Sequence, residues 1–169
     1  GIWMEGILDS VIDLSNNTNL EYLELSFNPI RSINVTGLNQ LENLGLQNTA
    51  LDSIDVSTNI ALNSLIINTG TNSNWANQIP QLVSLDLSNN IALRQLYCNG
   101  NNLTSLDLSN NPLLDFLDCS GNNLTTLDLS NNNNLNELNC SNNNLSSLDL
   151  RNNPPVFNSL GSPYCNFSG

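Results

Sequence analysis

A step of 21 residues governs this chain. Leu106-Asp107-Leu108-Ser109-Asn110-Asn111 recurs as Leu127-Asp128-Leu129-Ser130-Asn131-Asn132, then as Leu148-Asp149-Leu150-Arg151-Asn152-Asn153. The series reaches back to Leu85-Asp86-Leu87 and, in weaker form, to Ile54-Asp55-Val56, Ile33-Asn34-Val35 and Ile12-Asp13-Leu14. A second series lies 10 to 11 residues out of phase: Leu23-Glu24-Leu25, Leu44-Gly45-Leu46, Leu65-Ile66-Ile67, Leu96-Tyr97-Cys98, Leu117-Asp118-Cys119 and Leu138-Asn139-Cys140. Each series has one step of 31, so ten extra residues sit between Ile67 and Leu85, in the 68–84 stretch that carries Trp75. A period near 20 residues folds as a solenoid, because one coil cannot bury its apolar face without neighbours. Each triplet alternates apolar and polar, the period of a strand. Two triplets per coil predict a β-rich solenoid with two parallel β-sheets on opposite walls and little or no helix. About seven coils at ~4.8 Å spacing make a rod of ~34 Å.

The period explains an unusual composition. Of 169 residues, 36 are Asn and 32 are Leu. The Leu are regularly spaced and fill the core, so this is not the signature of disorder. The Asn past each triplet stand at inward-folding turns: Asn90, Asn111, Asn132 and Asn153 in one series, Asn101, Asn122 and Asn143 in the other. There the backbone loses water, and a side chain with both a donor and an acceptor can satisfy it. These Asn are scaffold.

Leu114-x-x-Leu117-x-Cys119-x-x-Asn122-x-Leu124-x-x-Leu127-Asp128-Leu129 resembles the leucine-rich repeat, in its bacterial 21-residue variety with a Cys-containing first half. Such repeats occur in internalin J-type surface proteins and in secreted proteins of Bacteroidetes. The resemblance spans roughly residues 20 to 153; the first coils, the 68–84 insertion and the tail after Pro154 depart from it. It implies a non-catalytic recognition or adhesion module, extracellular or on the cell surface, and supplies no ligand. The solenoid is expected over 1–158, stopped near Pro154-Pro155 because proline cannot donate to a continuing ladder. Residues 159–169 are expected to be an irregular tail or crude cap. No signal peptide is visible, and the chain begins inside its own pattern, as a processed form or a piece of a longer protein would.

Charge removes several functions. Three Arg and no Lys stand against 15 Asp and Glu, a net charge of −12. Such a chain lacks the basic patch that nucleic acid requires, and an anionic membrane would repel it. Without His or Lys, neither imidazole nor Schiff-base chemistry is open to it. No apolar run is long enough for membrane insertion.

Cys98, Cys119 and Cys140 stand 21 apart at inward positions and all point the same way, which is poor bridging geometry. They are expected to form a column of buried free thiols. Cys165, outside the repeat, is either an ordinary tail residue or half of a bridge to a segment elsewhere.

The two walls differ on their outward faces. On the LDL wall, Asp86, Asp107, Asp128 and Asp149 continue a column begun by Asp13, Asn34 and Asp55. A solvated, aggregation-resistant surface is one account of it; a lattice binding Ca²⁺ through carboxylate oxygens, or ice, is another. No other cofactor is expected. The other wall is irregular and presents Tyr22, Glu24, Ile66, Tyr97, Phe116 and Asp118. Trp75 sits in the insertion that leaves from its end, and Trp3 falls on the same wall if the first coil keeps register. Aromatic and apolar side chains among polar ones suit a protein or glycan contact. Alternatively, the insertion packs on Tyr97 and Ile66 as a local lid, or the open ends stack head to tail into filaments.

Overall fold

The computed structural model describes residues 2–3, 12–14, 16–69 and 81–153. It is a parallel β-solenoid, with no helix among the described residues. Seven short strands form one continuous parallel sheet in the order β1 (Ile2–Trp3), β3 (Tyr22–Glu24), β5 (Asn43–Gly45), β6 (Ser64–Ile66), β7 (Gln95–Tyr97), β8 (Phe116–Asp118) and β9 (Glu137–Asn139). The register follows the period: Leu23 faces Leu44, Leu44 faces Leu65, Leu65 faces Leu96, and Leu96 faces Leu117. The 31-residue step costs nothing in register, because Ile66 still pairs with Tyr97. The seven strands of the sheet mark six full turns from the first to the last, slightly fewer than the seven coils expected.

The middle residue of each strand points inward. Leu23, Leu44, Leu65, Leu96, Leu117 and Leu138 are all buried, and meet Val35, Val56, Leu87, Leu108 and Leu129 from the opposite wall. Full burial of a Leu side chain contributes about 1.5–3 kcal/mol, so the ribbon of core is continuous along the rod.

The opposite wall departs from expectation. Only β2 (Ile12–Asp13) and β4 (Ile33–Asn34) pair there; the later LDL triplets are extended but form no ladder. Local side-chain bonds run along this wall. Each Asp folds back so that Oδ1 accepts the amide of the second residue on: Ser57 to Asp55, Ser88 to Asp86, Ser109 to Asp107 and Ser130 to Asp128, all at 2.9 Å. Asn34 of β4 makes the same bond with the Thr36 amide, so the turn is compatible with pairing too. The carbonyls are taken as well, by the next coil's Asn. Asn111 Nδ2 donates to Leu87 O at 3.2 Å and Asn90 O at 2.9 Å, and Asn132 Nδ2 donates to Leu108 O and Asn111 O. Side-chain amides replace strand pairing on this wall.

The second Asn column does more. Asn122 Nδ2 donates to Cys98 O and Cys119 O, while its Oδ1 accepts Leu103 N. In the first column Oδ1 of Asn59, Asn90, Asn111 and Asn132 finds no protein donor.

The thiol column is shorter than expected. Cys98 and Cys119 are free and fully buried, whereas Cys140 is disulfide-bonded. Thiols that point the same way along the column cannot bridge one another, but they can pair with a cysteine outside it; Cys165, expected as a tail residue or half of a bridge to a segment elsewhere, lies outside the described residues.

Candidate functional site

Alternation carries the site. With the central Leu turned inward, the first and third residues of each strand form two columns on the sheet's outer face. The first reads Tyr22, Asn43, Ser64, Gln95, Phe116, Glu137; the third reads Glu24, Gly45, Ile66, Tyr97, Asp118, Asn139. Trp3 pairs with Glu24, so the first coil keeps register as expected. Trp75 lies outside the described residues.

Tyr97 and Phe116 meet. They sit on a diagonal of β7 and β8, with Gln95 opposite Phe116 and Tyr97 opposite Asp118. Their ring centroids are 4.4 Å apart at an interplanar angle of 27°, a stacked pair on a half-exposed face. Such a pair contributes about 0.5–1.5 kcal/mol beyond its buried area. Loss of water around the ring, then the charges of Glu137, Asp118 and Asp115, raise the Tyr97 phenol above its ordinary value. Three carboxylates therefore act on one ring. Asp118 is held in place: its Oδ1 accepts the Ser120 amide at 3.0 Å and the Ser120 hydroxyl at 2.6 Å.

The other expected residues stand apart from this pair. Tyr22 is 45% exposed, three strands from β7 and four from β8 along the sheet. Glu24 lies over Gly45, where any Cβ would fall on its carboxylate, and Oε1 accepts the Ser26 amide at 2.9 Å. Ile66 is half-buried beside Tyr97. Ser26 and Ser64, on the same wall, are buried; the Ser26 hydroxyl accepts the Gln47 amide.

Three features escaped the sequence argument. Glu21, Glu42, Arg94 and Asp115 occupy the residue before each strand and border the same face; Glu21, Glu42 and Arg94 are exposed. Triplet alternation looked past them. Ile60 and Ile91, 57% and 61% exposed, stand at equivalent positions of successive coils just ahead of β6 and β7. Phe27, 48% exposed, takes φ +61°, at the turn position filled by Asn48, Gly100, Gly121 and Asn142 elsewhere. An aromatic where four of the other five coils place Gly or Asn, and one Thr69, was a signal available in the alignment of coils.

On the LDL wall, Asp86, Asp107 and Asp128 are exposed, each tied to its own turn. Hydrogen bonds from the Ser88 hydroxyl and amide hold Asp86 below the usual carboxylate range, and those from the Ser109 and Ser130 amides and hydroxyls do the same for Asp107 and Asp128. Asp149, gripped by the Arg151 guanidinium at 2.5 Å, is held down to about 2. Among the described residues no group of three or more His, Cys, Asp or Glu could hold a metal ion.

Comparison with known proteins follows the repeat. No family model and no curated protein sequence matches the chain. Solved structures do. The functional domain of InlJ from Listeria monocytogenes, which includes a cysteine ladder, is 32% identical with a TM-score of 0.50, over 85% of this chain and 39% of that one. A leucine-rich repeat protein of Leptospira interrogans is 25% identical with a TM-score of 0.66, over 78% of this chain and 33% of that one. An internalin, InlF, from Listeria monocytogenes is 23% identical with a TM-score of 0.63, over 79% of this chain and 38% of that one; at that identity the likeness is one of fold. The chain thus spans well under half the length of each.

Proposed function

The chain is a leucine-rich repeat protein of the bacterial 21-residue kind, and from that premise we propose that it is a non-catalytic recognition module. It binds a protein or glycan on the outer face of the seven-stranded sheet. The observation that carries this is the Tyr97–Phe116 ring pair. A solenoid needs its inward Leu and its Asn columns; it has no use for stacked rings on the outer face, whereas aromatic anchors are what interfaces concentrate. The resemblance to internalin J-type surface proteins favours an extracellular or cell-surface site, and the disulfide at Cys140 suits an oxidising compartment.

The test is a screen against displayed peptides and a glycan array, followed by Tyr97→Ala and Phe116→Ala. Each variant is expected to weaken the selected ligand by about tenfold or more, with a melting temperature close to the parent's because both rings are half-exposed. Ligands that bind both variants as well as the parent would place recognition elsewhere.

A further inference from the structure

The charge around the ring pair is mostly negative. Asp118 stands beside Tyr97 in register on β8, Glu137 stands beside Phe116 in register on β9, and Asp115 immediately precedes Phe116. Further along the same face, Glu24 lies across Gly45 with Glu21 and Glu42 at its border. Against these six carboxylates the described face and border offer one cation, Arg94. The ring faces are electron-rich, and Asp115, Asp118 and Glu137 lie within a strand spacing or two of them, each about 4.8 Å.

We propose that the partner on this face is a protein segment bearing Arg or Lys, whose cationic head seats against the Tyr97–Phe116 pair between Asp118 and Glu137. The inference rests on the sheet-face recognition described above and narrows it to one class of partner. Two forces converge on such a head and neither serves a neutral sugar as well. An aromatic face attracts a cation through its quadrupole, and a guanidinium pairs with carboxylates through paired N–H donors. Like-charge repulsion also disfavours an acidic partner, which gives the face specificity as well as attraction. Asp118 is pre-organised for the task. The Ser120 amide and hydroxyl fix one oxygen, and Asn139 Nδ2 donates to the same Ser120 hydroxyl at 3.2 Å.

The experiment uses the full chain, labelled with ¹⁵N, and four probes at about 5 mM, a range suited to weak single contacts. These are a blocked Gly-Ser nonapeptide carrying three Arg, the same peptide with citrulline for Arg, the same with Glu, and the neutral trisaccharide of N-acetylglucosamine. The Arg peptide is expected to shift amides of residues 94–97, 115–118 and 136–139, and the other three probes are not. The double variant Asp118→Asn/Glu137→Gln should weaken the Arg peptide about tenfold, with Asn retaining the acceptor for Ser120. The triple variant Asp86→Asn/Asp107→Asn/Asp128→Asn removes more charge from the far wall and should change the affinity less than twofold. Equal losses in the two variants, or shifts spread over both walls, would reduce the effect to diffuse charge and overturn the proposal. Shifts at these amides from the trisaccharide instead would also overturn it while leaving sheet-face recognition standing. No shift from any probe overturns it too; the Tyr97→Ala and Phe116→Ala screen then judges the broader function by itself.

Discussion

Converting the side-chain amide of Asn111 into a carboxylate would strip two backbone carbonyls of their donor. Asn111 is fully buried, its Nδ2 reaches Leu87 O and Asn90 O in the preceding coil, and its Oδ1 has no protein donor. The residue is therefore held for its donor alone. Asn111→Asp would place a buried carboxylate against two carbonyl oxygens, and we expect it to destabilise by about 3 kcal/mol or more. Asn111→Leu leaves the carbonyls unpaired without adding charge, at about 1–3 kcal/mol for each unpaired group. Asn110→Asp, on an exposed neighbour, should stay within about 0.5 kcal/mol. Urea midpoints read all three, and equal midpoints for Asn110→Asp and Asn111→Asp would remove the distinction between ladder and surface Asn. The sequence carried this distinction only faintly, because Asn110 and Asn111 both recur at steps of 21 and only the earlier Thr58-Asn59 keeps the second Asn without the first. Which of their two polar atoms does the work was not readable there, since it depends on the carbonyls of another coil.

At the scale of elements, the period dictated the long sheet and left the far wall open. A triplet such as Leu106-Asp107-Leu108 reads as a strand, and its burial alternates as a strand's should. It pairs with no neighbour, and Asp107 instead accepts the Ser109 amide two residues on, a local bond that a pattern of apolar spacing does not register. The ring pair was half legible: Tyr97 and Phe116 were both placed on the outer face, but their stacking comes from a diagonal of the register. The cysteines show the reverse case, where geometry was inferred and connectivity missed. Burial pushes the Cys119 thiol up to about 12 and lifts Cys98 well above its ordinary value, with each further affected by nearby charge. Thiolate is the reactive form. A thiol reagent at pH 8 should accordingly leave Cys98 and Cys119 untouched in the folded chain and modify both on unfolding in urea, as mass spectrometry of the labelled peptides would show. Rapid labelling of either thiol in the native protein would contradict a closed core around β7 and β8.

For the whole molecule, stability in a solenoid passes from coil to coil, so a contact repeated in every coil sets a property of the rod. The Asp column is such a contact. Asp55, Asp86, Asp107 and Asp128 are all held below their ordinary value of 3.8, and Asp149 is at about 2. A carboxyl whose pKa is lower folded than unfolded contributes stability that is present above the unfolded value and lost as pH falls through the folded one. The melting temperature should therefore decline as pH is lowered from about 4 towards 2. Repulsion along the column works against this, since neighbouring Asp raise one another, but the hydrogen bonds outweigh it at each site. The natural Asn34 shows that a neutral side chain can hold the same turn, because its Oδ1 accepts the Thr36 amide at 2.9 Å. Asp86→Asn/Asp107→Asn/Asp128→Asn is thus expected to fold normally at pH 7 and to lose melting temperature less steeply between pH 4 and 2. Calorimetric scans of parent and variant at half-unit steps decide the matter. Parallel declines would mean that acid acts elsewhere in the chain, and that the column, for all its regularity, carries charge without carrying stability.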